Sequence, residues 1–223
     1  MKILALETAT EACSAALNID GEIRERFEIA PRGHSELILP MLESLLAEAD
    51  ISLRQVDALA FGRGPGAFTG VRIGVGVAQG VALGADLPVV PISTLAALAQ
   101  ASGAGRVLAA IDARMDEVYW GCYVRDENGR VALQGEECVV APADTPPVEG
   151  EGWLGAGSGW GVHGEVLHQR HAGQVSTQDP RALPRAAAVS QLAVAAHAAG
   201  AAVSAEQALP VYLRDKVTWQ KIR

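Results

Sequence analysis

Gly62-Arg63-Gly64-Pro65-Gly66-Ala67-Phe68-Thr69-Gly70-Val71-Arg72-Ile73-Gly74 joins two apolar runs, Val56 to Phe61 before it and Val71 to Leu83 after it. A short apolar run, a glycine-proline turn and a longer apolar run together read as a buried strand feeding a helix. Glycines at 62, 64 and 66 around Pro65 supply backbone conformations that most side chains forbid. Thr69 is the expected N-cap of the helix that follows. That helix is interrupted by Gly70, Gly74, Gly76, Gly80 and Gly84, and each interior glycine costs roughly 1 kcal/mol relative to alanine. Gly76, Gly80 and Gly84 recur every fourth residue and so share nearly one face, free of side chains. A closely packed helix backbone is the natural compensation, which makes this face a candidate partner surface.

Upstream of this run, Lys2 to Glu7, Cys13 to Ile19 and Glu22 to Ile29 read as three strands, the last two joined by an Asp20-Gly21 turn. Leu37, Ile38, Met41, Leu42, Leu45, Leu46 and Ala49 form the apolar stripe of a first helix. Pro40 lies within it, so the helix is expected to start near residues 36 to 39 or to kink there. Downstream come a short strand at Val89 to Ile92 and a helix over Leu95 to Ala101 capped by Ser93 or Thr94. After Ser102-Gly103-Ala104-Gly105 the order begins again. Arg106 to Asp112 is an apolar strand ending in an acid, as Lys2 to Glu7 is, and Val118 to Arg125 pairs with Val131 to Val140 across Asn128-Gly129. A proline-rich loop, a strand at Trp153 to Ala156, a helix around Trp160 to Arg170 and a last helix over Arg185 to Ala199 complete the chain. The repeated order predicts two α/β halves, the second abbreviated, divided into residues 1–103 and 104–223, with any ligand between them.

Composition narrows the function. Eighteen Lys and Arg against 26 Asp and Glu give a net charge of −8, which argues against broad nucleic-acid binding by this chain alone. Cys13, Cys122 and Cys138 have no metal-type spacing and read as reduced thiols. The first residues lack the apolar core of a signal peptide, and Arg72 and Gln79 interrupt the glycine-rich stretch, so no membrane span and a cytoplasmic location are expected.

The paired halves, each with an acid closing its first strand, resemble the actin-like (ASKHA, RNase H-like) ATPase superfamily, with a duplicated βββαβαβα order. Ile3-Leu4-Ala5-Leu6-Glu7-Thr8-Ala9-Thr10 followed by Cys13-Ser14-Ala15-Ala16-Leu17 is similar to the opening of the TsaB (YeaZ) family. So are Gly64 to Gly74, Arg32-Gly33-His34-Ser35, and the closing Pro210-Val211-Tyr212-Leu213-Arg214 with Trp219. The resemblance spans the chain, though residues 126–205 match only in general character. It implies a bacterial protein needed to form N6-threonylcarbamoyladenosine in tRNA, beside the anticodon. It further implies a non-catalytic subunit that binds and activates a larger catalytic paralogue, TsaD, alongside the ATPase TsaE. The implied interface is built from the first-half helices, here Leu37, Met41, Leu45, Arg72, Gly76, Gly80 and Gly84. A homodimer is expected when the chain is alone, and tRNA contact only through the complex.

Three other chemistries fit the residues less well. The TsaD branch holds metal through two histidines four apart on a helix, but here His34 has Ile38 at that spacing, and His168 and His171 are three apart on a polar helix. No metal site is expected, and a peptidase lacks its His-Glu-x-x-His motif. Glu7, Thr8 and Thr10, with Asp112 beside Arg114, stand where the superfamily holds phosphate and magnesium, and Gly155-Ala156-Gly157-Ser158-Gly159 resembles its adenosine loop. Ala9, Glu11 and Ala12 nevertheless occupy the turn where a phosphate grip favours glycines and hydroxyls. The isolated chain is therefore expected to hold no cofactor, with ATP and magnesium entering only in the complex. The alternative is an independent actin-like ATPase or small-molecule kinase. Ser158 misses the Gly-x-Ser-x-Gly elbow at its first position, and Cys13 reads as a buried thiol. The basic tail, Arg214, Lys216, Lys221 and Arg223 with Trp219, reads as a solvated end with the option of touching RNA phosphate.

Overall fold

The computed structural model describes residues 1–214; the tail beyond Arg214, with Lys216, Trp219, Lys221 and Arg223, lies outside the described residues. Strands β1 (Lys2–Glu7), β2 (Ala12–Ile19), β3 (Glu22–Ile29), β4 (Ala58–Gly62) and β5 (Val89–Ile92) form a first sheet in the order β3-β2-β1-β4-β5. Strands β6 (Arg106–Arg114), β7 (Glu117–Arg125), β8 (Val131–Val140), β9 (Trp153–Ala156) and β10 (Val175–Asp179) form a second in the order β10-β9-β6-β7-β8. Read from its other edge, the second order repeats the first. In each sheet the first three strands pair antiparallel, and the last two add in parallel. This is the duplicated α/β architecture expected from the sequence, with one strand more. Val175–Asp179 reads Val-Ser-Thr-Gln-Asp and is mostly exposed at the sheet edge, so it carries almost no apolar signal.

Among the described residues, five α-helices clothe the sheets: α1 (His34–Glu48), α2 (Phe68–Ala85), α3 (Thr94–Ala101), α4 (Ser158–Arg170) and α5 (Ala186–Ala198). Strand alternation sorts the core into layers. Leu4 and Leu6 of β1 face α1 and α2 with Ile38, Leu42, Leu45, Val75 and Ala78, whereas Ile3 and Ala5 face α5 with Ala186 and Val189. In β6, Leu108 and Ala110 face α4 with Trp160, and Val107 and Ala109 face α3 with Leu95 and Leu98. The molecule is thus layered as α1/α2, first sheet, α5 with α3, second sheet, α4. Alanines dominate the α5 layer (Ala5, Ala16, Ala58, Ala60, Ala186, Ala188, Ala193), so helix and sheet approach closely there.

Two helices cross the expected division at residues 103/104. α3 precedes that point yet packs on the second sheet, while α5 follows it and packs on the first. The chain after α5 also returns to the first lobe: Val203 pairs with Val89, and the Val211 amide donates to the Arg63 carbonyl at 2.9 Å. Each lobe needs the other lobe's last helix to bury the inner face of its sheet. Two local expectations also change. α1 starts at His34, so Pro40 lies beyond the first turn, on the exposed side. α2 starts at Phe68 with Ala67 as N-cap, because the Ala67 amide donates to the Ala9 carbonyl at 2.7 Å; Thr69 is inside the helix. By length and composition α2 is apolar enough to cross a membrane, despite Arg72 and Gln79. Here it is the crossover between parallel strands β4 and β5, with Val71, Val75, Ala78 and Ala82 buried on the first sheet.

Candidate functional site

The glycines of α2 and the loop before it belong to two sets with opposite environments. Gly62, Gly66, Gly70 and Gly74 press on the β1–β2 turn. A Cβ at Gly62 would lie 2.0 Å from Glu7 Oε2, at Gly66 2.3 Å from the Ala9 carbonyl oxygen, at Gly70 2.2 Å from that of Thr8, and at Gly74 2.6 Å from Thr8 Oγ1. The absent side chains let β4, the loop and the helix start sit directly on the turn, where Thr8 Oγ1 donates to the Gly70 carbonyl at 2.8 Å. Gly76, Gly80 and Gly84 are exposed, and a Cβ at any of them would meet nothing within 4 Å. The fold makes no use of these three glycines.

Around that open face the helix carries large exposed groups. Phe68 and Leu83 are each 68% exposed. The Arg72 guanidinium lies 3.2 Å from the Phe68 ring centroid and 5.0 Å from that of Tyr212, so the cation is flanked by two aromatic rings. Phe68 and Arg72 continue the same every-fourth-residue row as Gly76, Gly80 and Gly84. Leu37 and Met41 are half-buried against the core, and Leu45 is fully buried. Leu45 therefore belongs to the interior, because its turn of α1 faces β2; Leu39 is the α1 leucine that meets solvent. Phe68, Leu83 and Tyr212 were missed in the sequence, although the i, i+4 row through Phe68 and Arg72 was there to find.

The residues singled out for phosphate and magnesium fall into two groups. Glu7, Thr8 and Thr10 are all buried beneath the start of α2. Glu7 accepts from the Ala9 amide at 2.7 Å and the Thr94 hydroxyl at 3.0 Å, while Thr8 is spent on Gly70. His34 Nε2 donates toward the Thr10 and Ala12 carbonyls at 2.9 and 3.2 Å and ties α1 to the same turn. The second group is Asp112, Gly157 and Ser158. The Asp112 amide donates to Ser158 Oγ at 3.1 Å, and its carboxylate pairs with Arg114 at 3.1 Å and stands 3.8 Å from His163. Gly157, at φ 106°, would put a Cβ 2.4 Å from the Ala110 carbonyl oxygen, and a Cβ at Gly155 would meet the Trp160 ring. These glycines let α4 and Trp160 pack on β6, where Trp160 Nε1 donates to the Leu108 carbonyl at 2.9 Å.

His168 and His171 also part company. His171 is buried, stacked on Trp120 at 5.0 Å with Nε2 2.9 Å from the Thr145 hydroxyl, rather than lying on a solvated face. Among the described residues no three His, Cys, Asp or Glu side chains gather at metal-binding distance. Burial pushes the Cys13 thiol up to about 11, so it stays protonated.

Glu7 yields a testable pH effect. Burial, opposed by the Ala9 amide and the Thr94 hydroxyl, raises its pKa from 4.5 to about 7. The unfolded chain titrates near the ordinary value. Between pH 4.5 and about 7 the native state therefore holds more protons, and stability falls as pH rises through that window. Above it the penalty is complete, on the order of 3 kcal/mol. Glu7→Gln removes the charge, so its stability relative to the parent is expected to climb across this window and level off above it. Urea midpoints at several pH values measure the difference; a pH-independent difference would overturn the assignment.

Comparison with known proteins brings in the family. Over 230 aligned residues the chain is 46% identical to the tRNA threonylcarbamoyladenosine biosynthesis protein TsaB of Escherichia coli (strain K12), covering 100% of this chain and 98% of that protein. The chain belongs to the TsaB (YeaZ) family. The TsaB protein of Haemophilus influenzae is 42% identical over 100% of this chain and 97% of its own length. The solved structure of YeaZ from Pseudomonas aeruginosa matches with a TM-score of 0.88 at 49% identity, over 95% of this chain and 99% of that one. The sequence profile described as TsaD: tRNA N6-adenosine threonylcarbamoyltransferase matches residues 27–221, so this TsaB-family chain also resembles the transferase family. The two α/β lobes described above are shared with that YeaZ structure.

Proposed function

We propose that the chain is a non-catalytic subunit for N6-threonylcarbamoyladenosine formation in tRNA, which binds and activates a TsaD-type paralogue through the open face of α2. The observation that carries this reading is the exposed row of Gly76, Gly80 and Gly84, bordered by Phe68, Arg72 and Leu83. Helix glycines that meet nothing in their own fold lower helix stability without return unless a second backbone packs there. The half-exposed parts of Leu37 and Met41 lie on α1, the helix that packs beside α2. Aromatic rings and arginine beside a small-residue groove are the composition of an interface centre. The same face would serve a second copy of this chain when the paralogue is missing. A TsaE-type ATPase would complete the assembly, with ATP, magnesium and tRNA engaged by the complex.

A subsidiary role, not independent catalysis, is favoured by the state of Glu7, Thr8 and Thr10. Buried and hydrogen-bonded beneath α2, they are closed to a nucleotide phosphate. Coexpression with a TsaD-type protein followed by size-exclusion chromatography tests the partnership: a co-eluting complex is expected, and separate elution at micromolar concentration would sink it. The isolated chain is expected neither to hydrolyse ATP nor to modify tRNA. Magnesium-dependent turnover by the purified chain, lost on replacing Glu7 or Asp112, would overturn the non-catalytic assignment.

A further inference from the structure

An open cleft of about 410 Å³ lies between the lobes, and none of its lining residues belongs to α2. Its polar lining comes from both sides: Arg63 and Ser93 follow β4 and β5 of the first sheet, and Tyr123 and Glu137 belong to β7 and β8 of the second. The Arg63 backbone is fixed at both ends, its amide donating to the Ile92 carbonyl at 2.8 Å and its carbonyl accepting from Val211 at 2.9 Å. Its side chain is not. Arg63 Nε is buried without a hydrogen-bond partner, and no ion pair to Arg63 exists among the described residues. Burying an unpaired guanidinium donor is unfavourable, and the planar fork is built to take a carboxylate or phosphate in two parallel hydrogen bonds.

The Glu137 carboxylate, also on the lining, accepts hydrogen bonds from the Ser93 and Tyr123 hydroxyls, which fix its position. Tyr123 remains a protonated donor, because burial and the Glu137 charge push its pKa well above 10. Charge decides the class of ligand. Arg63 contributes +1 and Glu136 with Glu137 −2, so the lining sums to 1 − 2 = −1. A phosphate dianion meets surplus negative charge, and a simple cation meets Arg63. A zwitterion satisfies both ends. The rest of the wall is aliphatic, with Val131, Leu133 and Val211, and the volume suits a small molecule.

We propose that this inter-lobe cavity binds a free L-α-amino acid with a small aliphatic side chain, its carboxylate on Arg63 and its ammonium toward Glu137. The proposal does not rest on the partner face, since no residue of α2 lines the cleft. Isothermal titration of the full chain with L-valine is expected to show saturable one-site binding. Arg63→Gln should weaken it by about tenfold or more, and Arg63→Lys by less, because the charge survives without the fork. Valinamide lacks the carboxylate and isovalerate the ammonium, so neither should bind. These two compounds test the site on the parent protein, so the result stands even if a variant fails to fold. Absence of saturable heat with millimolar L-valine would overturn the proposal, as would parent-like affinity in folded Arg63→Gln. Equal binding of isovalerate or inorganic phosphate would also overturn it, by reducing the cavity to a general anion site.

Discussion

Gly80→Leu is expected to abolish association with the paralogue and with a second copy while leaving the chain folded. Within the monomer the new side chain meets nothing, since a Cβ at Gly80 has no neighbour within 4 Å. Leucine is also the better helix former, worth a few tenths to about 1 kcal/mol. At an interface where two helix backbones approach closely, overpacking costs about 1 to 3 kcal/mol. In an isologous dimer every such clash occurs twice, so the affinity loss reaches roughly a hundredfold or more. Circular dichroism together with analytical ultracentrifugation reads both halves of the expectation. A folded variant that still dimerises and still co-elutes with a TsaD-type protein would place the docking face elsewhere.

The same residue type ten positions earlier should behave in the opposite way. Gly70→Ala is expected to destabilise the monomer strongly, because its Cβ would stand 2.2 Å from the Thr8 carbonyl oxygen, a backbone atom held in the β1–β2 turn. Relief requires the start of α2 to lift, which also strains the hydrogen bond from Thr8 Oγ1 to the Gly70 carbonyl. Overpacking and the lost hydrogen bond together amount to about 2 to 4 kcal/mol. For a chain of 223 residues that lowers the melting temperature by roughly 5 to 15 °C. Gly76→Ala is the control: its Cβ meets nothing, so helix propensity alone should raise stability by up to about 1 kcal/mol. Equal melting temperatures for Gly70→Ala and Gly76→Ala would refute the division into two glycine sets.

Much of the fold was legible from local pattern. Nine of the ten strands among the described residues, and the duplication itself, follow from short apolar runs punctuated by glycine, proline and Asn128-Gly129. The exception, β10, is five residues of mostly polar edge strand, where neither alternation nor a continuous apolar run exists to be read. The opening motif and the Gly64 to Gly74 run are enough for the family, and the spacing of Gly76, Gly80 and Gly84 is enough for the glycine face.

What the sequence by itself determined, then, is the order of elements, the two-lobe plan and the family. Tertiary structure alone decided which glycines are buried and which are open, and that α3 and α5 each cross to the other lobe's sheet. It also decided that Leu45 is core while Leu39 is surface, and that Glu7 is sealed beneath α2 while Arg63 faces a cavity. The reason is that periodicity reports a residue's direction relative to its own element, a local quantity. Environment depends on what other elements bring to that side. A glycine has no side chain to declare a direction, so Gly70 under a carbonyl oxygen and Gly80 in the open are the same letter until the β1–β2 turn is folded against one of them.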